Sequence, residues 1–309
     1  MTNPLCKLPV TTILILFLLM GNFNPAHAQL TDKMKTILPA GTIAYGNIPY
    51  ANDTSHFHLL DVYLPANTSK PLPVVIWIHG GAWQLNDKYA DMGYMKNTVK
   101  GFLDSGYALV SIDYRYSTTA IFPAQVQDCN QAIQFLYEHA STYKLDKNKF
   151  ALIGFSAGGH LASLLGLSGN NNITDFYAGG KKPPFKINTV LDFYGPSDFV
   201  AMSTREKTTE PHSPESVLLG ASLLERPDLA KFASPVTYVD KNDPPFLIVQ
   251  GEKDESVPFT QSVLLNSYLK LAGVKNELMI VSGAPHYGPM FDTEAIRAKV
   301  FYFLRTYIH

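Results

Sequence analysis

Cysteine is scarce in this sequence, which has only Cys6 and Cys129 among its 309 residues. Two cysteines cannot form a disulfide framework or a four-thiolate zinc site. The sequence also lacks an excess of charge of either sign, since 25 Lys and Arg residues stand against 26 Asp and Glu residues. A net charge of −1 gives no electrostatic reason to expect a nucleic acid as partner. Because 46% of the residues are hydrophobic and 12% are aromatic, global disorder is excluded.

A hydrophobic run of membrane-spanning length is lacking as well. The apolar run from Val10 to Met20 follows Lys7 and precedes Ala26-His27-Ala28, and it would cross only about half of a ~30 Å hydrocarbon core. A charged start, an apolar middle and a small-x-small end are typical of a secretory signal peptide. We therefore expect a signal peptide over residues 1–28, export to the periplasm or the medium, and no stable membrane insertion after cleavage. The alternative is a membrane anchor.

Short apolar segments alternate with helical patterns along the rest of the chain. The segments at 73–78, 107–112, 150–153, 188–193, 246–249 and 278–281 are short and mainly apolar, as buried parallel strands are. An early strand at 59–64 is expected to be antiparallel, and residues 126–137 and 259–272 show the spacing of amphipathic helices. The pattern predicts an α/β fold, in which one mostly parallel sheet carries helices on both faces. We expect a single catalytic domain over residues 29–309, with a short cap insertion at about 199–235.

The motif Gly154-Phe155-Ser156-Ala157-Gly158 directly follows the strand predicted at 150–153. A nucleophile elbow needs a very tight turn between a strand and a helix, so the residues two before and two after the serine must be small. An ordinary turn rich in glycine and serine is the alternative. The position between a strand and a helix favours Ser156 as a nucleophile.

A nucleophilic serine needs a base and a carboxylate that orients the base, and in this architecture they follow in the order serine, acid, histidine. Of the nine histidines, His286 has the right order and lies directly after the last predicted strand. Asp254 lies in the loop after the preceding strand, while Asp192 and Asp198 are alternatives for the acid. We expect His160 to be a packed, hydrogen-bonded core residue.

The loop His79-Gly80-Gly81-Ala82-Trp83 follows another predicted strand. Its glycines allow a substrate to approach the backbone closely, so the Gly80 and Gly81 amides together with the Ala157 amide are candidates for an oxyanion hole. Trp83 either forms a wall of the substrate site or packs in the core. Trp83 and Tyr287 are the candidate substrate-binding residues.

Several motifs together resemble those of the α/β-hydrolase fold. They are His79-Gly80-Gly81-Ala82-Trp83, Asp113-Tyr114-Arg115, Gly154 to His160, Asp192 to Pro196, and Asp254 with Val257-Pro258. The nearest branch is similar to the bacterial feruloyl and acetyl-xylan esterases, which are relatives of the hormone-sensitive-lipase family. The resemblance implies ester hydrolysis without a cofactor, with Ser156, Asp254 and His286 as the triad. This sequence has Ala82 where those relatives usually have a third glycine, and Gln250 where many have histidine.

The remaining candidate sites favour structural roles. His56 and His58 are expected on one face of an early strand, but no neighbouring Cys or acidic cluster completes a tetrahedral set, so no metal is expected. We expect an ion pair of the Asp113-Tyr114-Arg115 segment to support the site, and Cys129 to fill the core.

The sequence as a whole predicts an exported serine hydrolase that cleaves carboxylic esters, with acetyl or feruloyl esters of plant polysaccharide as candidate substrates. Substrates are therefore small-molecule or polysaccharide-linked esters. Two alternatives stand beside this function: an amide hydrolase of the arylformamidase or exopeptidase kind, and a binding module of the same fold without activity.

Overall fold

A computed structural model describes residues 32–308 of the protein, and the predicted signal peptide over residues 1–28 lies outside the described residues. The described chain is organised around one eight-stranded sheet. Its strands are β1 (Ile43–Pro49), β2 (Leu59–Leu64), β3 (Leu72–Ile78), β4 (Ala108–Ile112), β5 (Leu145–Phe155), β6 (Ile187–Phe193), β7 (Phe246–Gly251) and β8 (Asn276–Val281).

The strands are arranged in the order β1-β2-β4-β3-β5-β6-β7-β8. Strand β2 is antiparallel to both β1 and β4, and every other neighbouring pair is parallel. This confirms the predicted mostly parallel sheet and its early antiparallel strand. Since parallel strands end at the same edge, the loops after β3, β5, β7 and β8 meet there.

The central strands are continuous apolar runs because they are buried on both faces. In β3 the side chains of Val74, Ile76 and Ile78 pack into one hydrophobic core, while those of Val75 and Trp77 pack into a second core on the opposite face. All five side chains are fully buried. A strand that covers two cores cannot alternate apolar with polar residues, which explains the pattern from which it was predicted.

Helices cover both faces of the sheet, as the sequence predicts. Residues of α3 (Ala124–Glu138), α4 (Ala157–Ser168) and α9 (Phe259–Ala272) pack into the first core. Residues of α1 (Asp32–Ile37), α2 (Lys96–Asp104) and α10 (Glu294–Tyr307) pack into the second. Within residues 32–308, no helix is both long and apolar enough to cross a bilayer.

The insertion between β6 and β7 consists of short helices: α5 (Phe199–Met202), α6 (Glu206–Thr209), α7 (Pro214–Leu219), α8 (Pro227–Ala233) and a 3₁₀ turn at Pro235–Tyr238. Residues 199–235, all of which are described, contain no strand. We call this segment the cap. It is held by apolar side chains in the first core, including Phe199, Leu218 and Leu219.

Two features of the N-terminal part differ from the prediction. Strand β1 was not predicted, because its pairing with β2 is interrupted between Tyr45 and Ile48, where Asn47 has a positive φ of 52°. Such a bulge breaks the alternating pattern that would reveal an edge strand. His56 and His58 lie in the turn before β2 rather than on a strand.

Candidate active site

Ser156 lies in a sharp turn between β5, which ends at Phe155, and α4, which begins at Ala157. Its backbone has φ 53° and ψ −118°, a conformation that residues other than glycine rarely adopt. The neighbouring glycines leave no room for larger residues. An added Cβ at Gly154 would lie 2.1 Å from the Gly158 carbonyl oxygen, and one at Gly158 would lie 2.1 Å from the Ile78 carbonyl oxygen. The turn therefore has the tight geometry that the sequence motif predicts.

The loops after β7 and β8 bring Asp254 and His286 to Ser156. His286 Nε2 lies 2.8 Å from Ser156 Oγ, and His286 Nδ1 lies 2.7 Å from Asp254 Oδ2. The three side chains thus form a continuous chain of hydrogen bonds, although they are separated by up to 130 residues along the sequence. In this arrangement the imidazole can accept the serine proton while the carboxylate fixes the orientation of the ring.

Asp254 is held by four donors. Its Oδ1 accepts hydrogen bonds from the Ser256 and Val257 amides at 2.9 and 2.8 Å. Its Oδ2 accepts from the Gln250 side-chain amide at 2.8 Å as well as from His286. Gln250 is itself oriented by the Ser262 hydroxyl, which donates to Gln250 Oε1. Gln250, which stands where many relatives have histidine, is therefore a direct hydrogen-bond partner of the Asp254 carboxylate.

The two alternative acids have other partners. Asp192 accepts hydrogen bonds from the Gly195 amide and the Ser163 hydroxyl, and burial raises the pKa of its carboxyl to about 6. Asp198 caps the N-terminus of α5 by accepting from the Ala201 amide. Of the three candidate acids, Asp254 is the one in contact with His286.

The loop after β3 departs from the prediction at Gly80. The Gly80 amide donates to Asp91 Oδ2 at 2.9 Å, so its hydrogen is already engaged and does not face a substrate oxyanion. Gly81, Ala82 and Trp83 all have positive φ, which turns the backbone sharply. Within residues 32–308, the amides of Gly81, Ala82 and Ala157 have no protein acceptor. The amide of Ala82 thus replaces that of Gly80 among the candidate oxyanion donors.

Asp91, which the sequence analysis did not identify, connects this loop to the His286 ring through two tyrosines. Its other oxygen accepts a hydrogen bond from the Tyr94 hydroxyl at 2.6 Å, and the Tyr94 hydroxyl lies 2.8 Å from that of Tyr194. The Tyr194 ring packs edge-on against His286 at 5.0 Å. Burial raises the pKa of both tyrosines above the ordinary value, so both keep their protons. No motif surrounds Asp91, and only the fold reveals its contact with Gly80.

Trp83 both lines the site and packs in the core. It borders the cleft that contains Ser156 and His286, yet it is only 2% exposed. Its indole Nε1 donates to His160 Nδ1 at 3.2 Å, and His160 Nε2 lies 2.8 Å from the Ala233 carbonyl. Burial lowers the pKa of His160 to about 4, so the ring is neutral and accepts from the indole. His160 is the packed, hydrogen-bonded residue that was predicted.

The cleft has a volume of about 880 Å³ and is bordered by both the sheet edge and the cap. Tyr287 is 64% exposed at its mouth, where its ring lies 6.2 Å from those of Tyr94 and His286. The cap contributes Arg205, Lys207, Thr208, Pro214 and Glu215. Sequence reasoning named the cap as a segment, but it identified none of these five residues.

The remaining predicted residues lie outside the cleft. His58 Nδ1 lies 2.6 Å from Asp53 Oδ2, and among residues 32–308 no group of three or more His, Cys, Asp or Glu side chains has an arrangement suited to a metal ion. The Asp113-Tyr114-Arg115 segment takes part in two ion pairs, Asp113 with Lys88 and Arg115 with Asp128. Cys129 is fully buried in the first core, as predicted.

A family model described as BD-FAE matches residues 60–269, a range that includes Ser156 and Asp254. The chain is similar to esterase LipQ of Mycobacterium tuberculosis, with 30% identity over 229 residues that represent 74% of this chain and 53% of LipQ. The chain spans about half the length of the curated relatives it matches.

Two solved structures are similar to the described fold. One is a truncated form of a carbohydrate esterase from gut microbiota, with 31% identity and a TM-score of 0.75 over 85% of this chain and 95% of that chain. The other is a bifunctional GH43-CE protein of Bacteroides eggerthii, with 35% identity and a TM-score of 0.78 over 85% of this chain and 35% of that chain.

Proposed function

Because the chain belongs to the BD-FAE family and has an α/β-hydrolase fold, we propose that it is a serine hydrolase of carboxylic esters. The observation that carries the proposal is the hydrogen-bond chain from Ser156 through His286 to Asp254, formed at a strained turn beside the Gly81, Ala82 and Ala157 amides, which have no acceptor within the described residues. This arrangement has the three parts that acyl transfer needs: a nucleophile, an oriented base and donors for an oxyanion.

The proposed reaction proceeds in two steps. Ser156 Oγ attacks the ester carbonyl carbon while His286 Nε2 accepts the hydroxyl proton, and the amides of Gly81, Ala82 and Ala157 stabilise the oxyanion. The tetrahedral intermediate then expels the alcohol, which takes the proton from His286, and the acyl group remains on Ser156. Water attacks this acyl-enzyme with His286 again as the base, which releases the carboxylic acid and restores the serine.

Labelling by a fluorophosphonate tests the nucleophile directly. We expect the reagent to attach to Ser156 in the purified protein, because only an activated serine attacks phosphorus at neutral pH. Peptide mass spectrometry locates the label, and Ser156→Ala should lose both the label and the hydrolysis of 4-nitrophenyl acetate. Unlabelled protein, or full esterase activity in Ser156→Ala, would contradict the proposed function.

We further propose that the physiological substrates are acetyl or feruloyl esters linked to plant polysaccharide. One similar structure is that of a carbohydrate esterase and another is that of a bifunctional GH43-CE protein, which supports this class. A panel of aryl esters of increasing acyl length, run beside acetylated xylan and methyl ferulate, tests it. Activity confined to long-chain aryl esters would argue against both acyl groups.

Export by the N-terminal segment is also part of the proposal. Residues 1–28 have the charge, apolar run and small-x-small ending of a signal peptide. The protein recovered from the periplasm or the medium of an expressing cell should begin at Gln29. Recovery of the intact N-terminus from the cytoplasm would show that this part of the proposal is wrong.

A further inference from the structure

We propose that Glu215 on the cap forms a subsite for hydroxyl groups in the alcohol part of the ester. The subsite would favour esters of polyhydroxylated alcohols such as sugars over simple aryl or alkyl esters. This inference rests on the proposed ester hydrolysis, and it makes one residue of the cap a determinant of selectivity for the alcohol part of the ester.

Glu215 lies on the buried face of α7, where leucines follow it. Leu218 and Leu219, three and four residues later on the same face, are 0% and 2% exposed, and Glu215 itself is only 8% exposed. Within residues 32–308 no side chain forms a hydrogen bond or an ion pair with this carboxylate. Burial raises the pKa of this carboxyl. Glu215 lies in the first turn of α7, where the helix N-terminus favours a negative charge, but no described side chain of opposite charge pairs with it in this buried position.

Glu215 also borders the cleft that contains Ser156 and His286. The cap also contributes Arg205 and Lys207 to the lining of this cleft. The Arg205 charge acts on the Glu215 carboxyl and opposes the effect of burial on its pKa. A carboxylate that opens onto a cleft can accept hydrogen bonds from a bound ligand without further desolvation.

The neighbouring charges indicate a neutral ligand. The cleft is lined by charges of both signs, with Arg205 and Lys207 beside Glu215 on the cap and with Asp87, Asp91 and Glu255 elsewhere, so an ionic ligand of either sign meets like charges. A polyhydroxylated alcohol meets no such repulsion, because each hydroxyl both donates and accepts. It can donate to Glu215 and accept from Lys207, whereas the Arg205 guanidinium already donates to the Glu255 and Ser256 carbonyls.

The cleft mouth also carries an aromatic side chain. Tyr287 is largely exposed and borders the same cleft as Glu215. Its ring offers an apolar surface next to His286. A sugar ring has hydroxyl groups at its edge and C–H groups on its faces, so it complements a site with a polar wall and an aromatic wall.

The experiment compares two esters of the same acid. Acetylated xylotriose and 4-nitrophenyl acetate give the same acetyl-enzyme, so the ratio of their kcat/KM values depends only on recognition and departure of the alcohol. We expect Glu215→Gln to lower the ratio of xylotriose ester to aryl ester by about tenfold to a hundredfold, the effect of losing a hydrogen bond to a charged group. Glu206→Gln, an exposed glutamate of the cap outside the cleft, is the matched control and should keep the wild-type ratio.

A second variant tests the subsite even if Glu215→Gln fails to fold. Lys207 is exposed, and Lys207→Met should fold normally and lower the same ratio by about threefold. An unchanged ratio in both variants would overturn the subsite. Wild-type protein that hydrolyses the aryl ester but not the xylotriose ester would also overturn it while leaving the proposed ester hydrolysis intact. Protein inactive on both esters would instead overturn the proposed function itself.

Discussion

Asp91 shows how a residue outside the proposed triad supports the proposed oxyanion site. Its carboxylate joins the Gly80 amide to the Tyr94 hydroxyl, and the Tyr94 hydroxyl meets that of Tyr194. This chain of contacts fixes the loop whose next residues, Gly81 and Ala82, line the cleft. Asp91 therefore acts through the position of the loop and not by contact with the reacting atoms.

We expect Asp91→Ala to lower kcat by about tenfold to a hundredfold, with a smaller change in KM. The loss should stay below the ~10²–10³ that removal of a whole oxyanion donor costs, because the amides remain but are held less firmly. Asp91→Asn keeps an acceptor for the Gly80 amide and is expected to retain most of the activity. Steady-state kinetics on 4-nitrophenyl acetate separate the two variants. Equal losses in both would show that the negative charge matters and not the position of the loop.

The error at Gly80 has a physical origin. Sequence reasoning treats each glycine of the loop as a place where a substrate approaches the backbone. At Gly80 the close approach is internal, because an added Cβ would lie 2.8 Å from the Phe155 carbonyl oxygen. The side chain that binds its amide, Asp91, lies eleven residues along the chain. A contact between two loops leaves no pattern in the sequence, so neither Asp91 nor the role of Ala82 could be predicted.

At the scale of whole elements, the predictable parts are those defined by local patterns. The strands before Ser156 and Asp254 were predicted because continuous apolar runs follow from burial on both faces. The strand before His286, β8, is instead a partly buried edge strand that was predicted from its short apolar run alone. The cap was predicted only as a segment, since short helices without a long apolar face have weak periodicity. Its contribution to the cleft depends on how α5 to α7 pack over the sheet edge, which is a tertiary property.

Arg205 ties the cap to the loop that carries Asp254. Its guanidinium donates to the Glu255 and Ser256 carbonyls, both at 2.9 Å, and the Ser256 amide in turn donates to Asp254. The cap is thus anchored to the same short loop that orients the proposed acid.

We expect Arg205→Ala to increase the mobility of both segments that this side chain joins. Hydrogen–deuterium exchange should become faster at Ser256 and Val257 and in residues 199–209, because the bridging hydrogen bonds are gone. Arg226→Ala removes another cap arginine, whose exposed partner Asp228 lies two residues away, and serves as the control. Exchange rates that are the same in both variants would show that Arg205 does not hold the loop.

For the whole molecule, stability depends on packing on both faces of the sheet. Cys129, which is buried, is the one cysteine within residues 32–308, so the described fold contains no internal disulfide. The two hydrophobic cores meet at the sheet, and one buried carboxyl, Asp192, lies where β6 approaches the turn at Ser156. An added Cβ at Gly159 or Gly195 would come within 2.5 or 2.7 Å of its oxygen. The close packing of these elements therefore keeps water from this carboxyl.

Burial of Asp192 makes the stability of the molecule depend on pH. Burial raises the pKa of its carboxyl from 3.8 to about 6, so between these values the folded state binds a proton that the unfolded state has lost. The stabilisation that this bound proton provides is therefore complete below about pH 4. It is lost as the pH rises through about 6, which lowers the free energy of unfolding by about 3 kcal/mol. Asp192→Asn does not titrate, and Asn can still accept from the Gly195 amide while its NH₂ group donates to Ser163.

We expect the free energy of unfolding of Asp192→Asn, taken relative to the wild type, to be about 2 kcal/mol higher at pH 7.5 than at pH 4.5. Urea unfolding at the two pH values measures this difference, and Asp104→Asn, at an exposed carboxylate of α2, corrects for loss of a surface charge. Because each variant is compared with the wild type at the same pH, the other titrating groups cancel. A difference between Asp192→Asn and the wild type that stays constant with pH would mean that Asp192 is ionised in the folded protein throughout this range. In that case its two hydrogen bonds would outweigh its burial.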